Sequence, residues 1–385
     1  AIEELLPGNG SQNRELLLTR IEEYARAAIA AAHAGPESAS RTPSGTDAWL
    51  ERPVFICGAH RSGTTLMQSL LDGHPDLVVL PSEATYLTSF GYVACPRPGQ
   101  SDVNRFIAEW IARMIDPNDV PHFKLGRSSK DRCPTVDFCR SMLKWMSKQQ
   151  LAMSPRARFN PLLALAAAYR DVAVPEAVPR MWVEKTPLNE NRASLLLRSF
   201  EQARCIQMIR DPRATYASHH AAYVAEDLKG FDRFATARTI GRSLRLAARH
   251  ERHWEGRYLV VRYEDLTDNL LGEMKRVSKF LDIEPHPILL TPTAGAMPLQ
   301  SNSSFRKTAP GVVEARRGPE VPTRDAGLIS ALAGSPARPW GYAVPRVGVW
   351  QGCVLRLQNI LSDLSKLPRR IGGAAQTHRG LGGER

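Results

Sequence analysis

Residues 54–67 read VFICGAHRSGTTLM, and this stretch decides the fold. Val54, Phe55, Ile56 and Cys57 make a short apolar run of the kind that forms a strand buried on both faces. Gly58 to Gly63 is turn-prone, and Thr64 opens a helical pattern that puts Leu66, Met67, Leu70 and Leu71 on one side. Strand, glycine-bounded loop and helix in that order build a phosphate cradle, because the loop amides and the free N–H groups of the first helical turn point at one anion.

The spacing Gly58-x-x-x-x-Gly63 followed by Thr64-Thr65 matches the nucleotide P-loop pattern GxxxxGK[ST] everywhere except at the lysine, which is Thr64 here. A cation stands inside the loop instead, at Arg61. In an NTPase the P-loop lysine reaches the far phosphates and the Ser/Thr holds magnesium. An arginine within the loop can lie along a nearer phosphate with no metal. The plainer alternative is an ordinary tight strand-to-helix turn, but packing alone gives no reason for Gly, Arg, Gly and paired Thr together.

A chain of 385 residues with 43% hydrophobic content can bury a large core without help from metals or disulfides. Lys and Arg outnumber Asp and Glu by 51 to 39, giving a net charge of +12 and a pI near 9.7. That field favours anionic ligands. The cations are scattered, with small clusters at Arg316-Arg317 and Arg369-Arg370, so no nucleic-acid partner is expected. The six cysteines form no C-x-x-C pair, and Cys57 and Cys205 sit in apolar strand-like runs, which fits a reduced, cytoplasmic setting. No stretch is apolar enough to span a bilayer and no signal-peptide pattern is evident.

Working outward, residues 15–34 read as an amphipathic helix, and a Ser/Thr/Gly/Pro linker leads to the first strand, so 1–47 is expected to stand apart from an α/β domain over 48–345. Leu77 to Leu80 is a second strand ending at Pro81-Ser82-Glu83. Strand, helix, strand implies a parallel sheet with helices on both faces, a three-layer α/β fold, and ligands then lie at the carboxyl ends of the strands. Glu83 is expected on that rim, although a Glu after Pro-Ser is also a good first-turn helix residue. Residues 94–180 read as a helical insertion whose Phe106, Trp110, Phe123 and Trp145 either line an acceptor pocket or fill the core.

The strand pattern returns at Met181-Trp182-Val183, followed by Glu184-Lys185-Thr186-Pro187, and again at Cys205 to Ile209, followed by Arg210-Asp211-Pro212. Ser218 stands eight positions beyond Arg210. An Arg at a strand end and a Ser two turns into the next helix can converge on a second phosphate, with Asp211 as the helix cap. Tyr258 to Val261 is the next strand, and Tyr263, Glu264 and Asp265 read as residues fixing a strand-to-helix corner. Beyond Pro285 the chain is Pro-, Ser- and Gly-rich through Pro322 and is expected to be mobile without a ligand. Residues 346–385 hold an amphipathic helix from Val354 to Leu367, offering peripheral membrane contact, and a basic, Gly-rich, disordered end.

The two phosphate sites together resemble the sulfotransferases that use 3′-phosphoadenosine 5′-phosphosulfate (PAPS). RSGTTLMQSLLDGHPDL, EKTP, IRDPRATYAS and VRYEDL are similar to segments of that family, and the likeness covers roughly residues 52–310. The RSGTT form and Glu83 look more like the carbohydrate and protein-tyrosine branches than the cytosolic small-molecule branch. The resemblance implies Arg61 and the Ser62, Gly63, Thr64 and Thr65 amides on the 5′-phosphate. It implies Glu83 as general base on an acceptor hydroxyl, Lys185 near the bridging oxygen, and Arg210 with Ser218 on the 3′-phosphate. Ser301 to Arg306, with Ser303 and Arg306 as nucleotide contacts, would close over the donor, and no metal is required. The acceptor, whether a sugar, tyrosine, lipid or secondary metabolite, is left open, as is the oligomeric state. Two other readings fit part of the sequence: a P-loop kinase or NTPase, which should carry lysine at position 64, and a non-catalytic anion-binding protein.

Overall fold

The structure, a computed structural model, describes residues 27, 30, 47–89, 106, 110, 135–149, 158–225, 230–295, 297–299, 309–314 and 320–364. Two compact units are formed, one from residues 1–209 with 249–315 and the other from 210–248 with 316–385. The first unit holds five parallel strands: β1 (Pro53–Gly58), β2 (Leu77–Val79), β3 (Met181–Lys185), β4 (Arg204–Ile209) and β5 (Tyr258–Arg262), in the order β2-β3-β1-β4-β5. β1 is central, with Ile56 opposite Lys185 of β3 and Gly58 opposite Met208 of β4. The chain leaves β1 for one side of the sheet and later returns to its other side. Such a reversal in strand order is where α/β sheets open a crevice for ligands.

Helices of the first unit include α1 (Thr64–Leu71), α2 (Thr135–Gln149), α3 (Asn160–Ala173), α4 (Ala193–Ser199) and α7 (Leu270–Leu281); α5 (Pro212–Ala225) and α6 (Arg233–His253) belong to the segment between β4 and β5. Alternate residues of β1 serve opposite faces. Val54 and Ile56 join Met67 and Leu70 of α1 and Val277 and Leu281 of α7 in one core. Phe55, pointing the other way, meets the edge of Trp182 and lies against Phe200, which packs on Phe159 at the start of α3. Both faces are thus covered, and the expected three-layer α/β fold is present.

Burial resolves the choice left open for the aromatic residues of 94–180. Phe106, Trp110 and Trp145 are all buried, and α3 is buried along most of its length, so these side chains fill core; Phe123 lies outside the described residues. The stretch after Pro285, expected to be mobile without a ligand, is partly built into the first unit. Pro287–Leu290 is a 3-10 turn, and Thr293–Ala294 pairs with Met297–Pro298. Thr293 Oγ1 donates to the carbonyl and carboxylate of Asp72 at 2.9 and 2.8 Å, pinning this ribbon to the end of α1.

The second unit contains α5 (Pro212–Ala225), most of α6 (Arg233–His253), α8 (Thr323–Ala337) and α9 (Val349–Leu364). Gly241 lets α6 approach α8, since a Cβ there would lie 2.2 Å from the Leu332 carbonyl oxygen. Arg233 pairs with buried Asp325 at 2.8 Å, and Trp340 Nε1 donates to the Leu244 carbonyl at 3.3 Å. Among the described residues no helix is long and apolar enough to cross a membrane. The helix expected over 15–34 lies outside the description apart from isolated helical positions 27 and 30; the helix expected from Val354 to Leu367 is found at Val349–Leu364, and residues beyond 364 lie outside the description.

Candidate active site

The loop between β1 and α1 is shaped by two glycines that no other residue can replace without movement. Gly58 has φ of 138°, and a Cβ there would lie 2.3 Å from the Met208 carbonyl oxygen. Gly63 has φ of 102° and caps α1, and its Cβ would lie 2.6 Å from the Tyr263 ring. Between them Arg61 is held at φ of 67°, a left-handed conformation uncommon for a side-chain-bearing residue. Ser62 closes the turn on itself, its amide and hydroxyl donating to the Ala59 carbonyl at 3.1 and 2.7 Å. The Ser62 amide is therefore engaged in the turn. The amides of Gly63, Thr64 and Thr65 stand at the first helical turn, where N–H groups have no intrahelical acceptor, and α1 has no side-chain cap. A cradle too tight for a Cβ, an uncapped helix start and an arginine in the loop fit a phosphate.

The base of the loop is fixed from below. Gly58 N–H donates to Glu190 Oε2 at 3.0 Å, and Leu188 N–H donates to the Gly58 carbonyl at 3.0 Å. Glu190 is fully buried, and its carbonyl accepts from His250 Nε2 at 3.0 Å. Under β1, Tyr258 donates to Gln207 at 2.6 Å and meets Cys57 at 3.7 Å. Burial raises the pKa of both the Cys57 thiol and the Tyr258 hydroxyl well above ordinary values, so both stay neutral. Cys57 and Cys205 are buried thiols, as their strand positions led us to expect.

The structure brings Glu83 and Lys185 into direct contact. Lys185 Nζ donates to Glu83 Oε1 at 2.7 Å; the lysine is 4% exposed and the glutamate 32%. Parallel pairing explains the meeting. β2 and β3 are neighbours, Lys185 ends β3, and Glu83 follows β2 on the same rim. Gln68 of α1 holds the end of β2 by donating to the Leu80 carbonyl at 2.6 Å.

Sequence reasoning passed over the neighbouring Glu184. It is 1% exposed, and its carboxylate accepts from Ala84 N–H at 3.2 Å, from Asn189 Nδ2 at 3.0 Å and from the Thr186 hydroxyl. Thr186 Oγ1 in turn accepts from Thr85 N–H at 3.1 Å. Two consecutive residues of β3 thus grip the same turn, Lys185 by the Glu83 side chain and Glu184 by the backbone just after it. Burial pushes the Glu184 pKa up to about 7, against the opposing pull of the Thr186 and Ala84 hydrogen bonds. His60 was also missed. The residue is exposed, yet the protein packed around its ring lowers its pKa by desolvation; Glu83 opposes the shift, and Lys185 and Arg61 add to it. Its presence in the loop was visible, but no spacing rule marks a histidine whose meaning depends on its surroundings. Ile56 of β1 lies opposite Lys185 of β3, which puts the start of the loop and the Glu83–Lys185 pair on one rim.

Arg210 and Ser218 lie in the second unit, both buried, before and within α5. Asp211 accepts from the Arg213 and Ala214 amides at 2.7 and 3.4 Å, the capping role read from its position. Arg262 pairs with Asp265 at 2.9 Å at the corner after β5. Ser303 and Arg306 lie outside the described residues.

Taken together, sheet and loop define an α/β protein with a phosphate cradle at the carboxyl edge of its central strand. The sequence matches the profile of the sulfotransferase family over residues 53–287, more than half the chain, and the protein belongs to that family. It is accordingly a sulfotransferase enzyme. No curated protein sequence matches it significantly. Similar solved structures include the sulfotransferase domain of the Synechococcus PCC 7002 olefin synthase, 18% identical over 80% of this chain and 100% of that one, with a TM-score of 0.42. Sulfotransferase STF9 from Mycobacterium avium is 18% identical over 70% of this chain and 74% of its own, with a TM-score of 0.37. A retinol dehydratase, solved in a complex with retinol and PAP, is 14% identical over 83% and 88%, with a TM-score of 0.31.

Proposed function

We propose that this enzyme moves a sulfuryl group from PAPS to an acceptor hydroxyl by in-line displacement, with Glu83 as general base. The observation that carries the reading is the 2.7 Å pair of Glu83 and Lys185 on the rim that also bears the cradle. A base on the acceptor and a cation on the leaving group are the two charges such a transfer needs, and here they are adjacent.

In this reading the amides at the start of α1, with Arg61, hold the 5′-phosphate. Arg210 and Ser218 are assigned to the 3′-phosphate on the sequence resemblance. Glu83 takes the acceptor proton as the new O–S bond forms. The S–O bond to the phosphate breaks, and its electron pair stays on the departing phosphate oxygen. Lys185 and Arg61 stabilise that oxygen as charge develops. The free enzyme pairs Lys185 with Glu83, so each must turn from the other toward its reactant. Glu184 keeps the Ala84 amide meanwhile, so the turn carrying Glu83 stays in place. The acceptor is a hydroxyl compound, whether sugar, tyrosine, lipid or secondary metabolite.

Thermal-shift titration with adenosine 3′,5′-bisphosphate, magnesium-ATP and AMP tests the donor class. The bisphosphate is expected to stabilise selectively, by about 2.7 kcal/mol at a hundred times its dissociation constant. Stabilisation by magnesium-ATP alone would move the chain to a phosphotransferase, and no shift with any ligand would remove the cradle reading.

A further inference from the structure

The last described helix leaves most of its described apolar side chains facing outward. α9 rests on its own unit through a mixed face of small, polar and apolar residues. Gly352 is buried, Leu355 and Asn359 are half-buried, and Arg238 donates to Asn359 Oδ1 at 2.9 Å. Leu355 and Gln351 lie over Gly327 of α8. The opposite face is apolar and open. Val349 and Trp350 are 86% and 84% exposed, and Val354, Leu357, Ile360 and Leu361 are each about half exposed. Trp350, Val354, Leu357 and Leu361 follow the spacing that forms a single stripe along a helix. An apolar surface of this extent marks an interaction site.

Charge selects the partner. From position 338 to 370 the sequence carries Arg338, Arg346, Arg356, Lys366, Arg369 and Arg370 against one acid, Asp363. Arg338 and Arg346 are both exposed. A second copy docked on this stripe would bring two such cationic segments together, and like charges facing each other are destabilising. An anionic lipid surface accepts both features at once. With 16 residues α9 is about 24 Å long, too short to span a bilayer core of about 30 Å, so it would lie in the interface. Tryptophan is favoured at that depth.

We propose that the outward face of α9 docks on an anionic bilayer surface, its apolar stripe entering the headgroup layer while the cations of the flanking sequence, the exposed Arg338 and Arg346 among them, meet the lipid phosphates. The test is co-sedimentation of the full chain with vesicles of phosphatidylcholine alone or mixed with phosphatidylglycerol. Binding is expected only to the mixed vesicles and should weaken with added salt. The double substitution Trp350→Asp with Leu357→Asp should lower partitioning by about tenfold or more, at an unchanged melting temperature. Arg338→Glu with Arg346→Glu tests the charge half independently, should the first variant fold poorly, and should also lose binding. Wild-type protein left in the supernatant would overturn the proposal, and so would variants that bind like wild type or equal binding to neutral vesicles. A dimer in sedimentation equilibrium that the Asp variant dissolves, without vesicle binding, would assign the face to a second copy instead.

Discussion

The end of β3 and the outer face of α9 depart from the usual distribution of side chains in opposite directions. At β3, Glu184, Lys185 and Thr186 are withdrawn from water, with Asn189 and Glu190 just beyond. On α9, Val349, Trp350 and Leu357 are left in water. Buried polar groups are tolerated when their hydrogen bonds are made, and at β3 the bonds run to Glu83, Ala84, Asn189 and Gly58, which fixes the direction of each group. Exposed apolar groups make no such directional demand. They lower free energy only when something covers them. The first inversion therefore concerns geometry within the chain, and the second concerns what the chain meets.

Removing a buried charge at β3 should have the largest effect. Lys185→Ala is expected to slow single-turnover transfer of labelled sulfuryl group by on the order of a hundred- to a thousandfold. An unchanged rate would reduce the Lys185–Glu83 pair to a structural contact.

Glu184→Gln probes the same cluster through pH. The folded-state pKa of Glu184, about 7, lies above its ordinary 4.5, so the fold favours the protonated acid. Its contribution to stability is full below about 4.5 and is lost as pH rises to about 7. The stability of the variant relative to wild type should therefore climb over that interval, by up to about 3 kcal/mol, when melting temperatures are compared across pH. A flat difference would place the carboxylate in a better-solvated site than its burial indicates.

Gly58→Ala should cost about 2–3 kcal/mol in urea denaturation, since its Cβ would strike a β4 carbonyl at a positive φ. Leu357→Asp should be smallest, within about 0.5 kcal/mol. A large loss there would mean that α9 is covered within the chain and would erase the contrast.

How much of this was legible in the sequence follows the distance over which each feature is made. The β1–loop–α1 unit is local: Gly58, Arg61 and Gly63 announce it because backbone conformation and helix start are decided within ten residues. Glu83 and Lys185 could be placed at strand ends by alternation and order. Their contact spans 102 positions and appears only when β2 and β3 are paired. Glu190 reaches Gly58 across 132 positions, and Thr293 reaches Asp72 across 221, which is why a Pro- and Ser-rich segment that looked free is partly tied down. Glu184 beside Lys185 looked like one charge in a charged strand end, and only burial reveals its work. For α9 the sequence displayed an amphipathic helix but not which side faces the body.

The pairing of Lys185 with Glu83 also bears on timing. In the proposed reaction one of these residues serves the donor and the other serves the acceptor, yet at rest each occupies its counterpart. A base held 2.7 Å from an ammonium group is occupied until the lysine is drawn to the donor. In that proposal the contact is an interlock: the carboxylate is released only once the lysine has been drawn to the donor, so the readiness of the two half-sites is coupled.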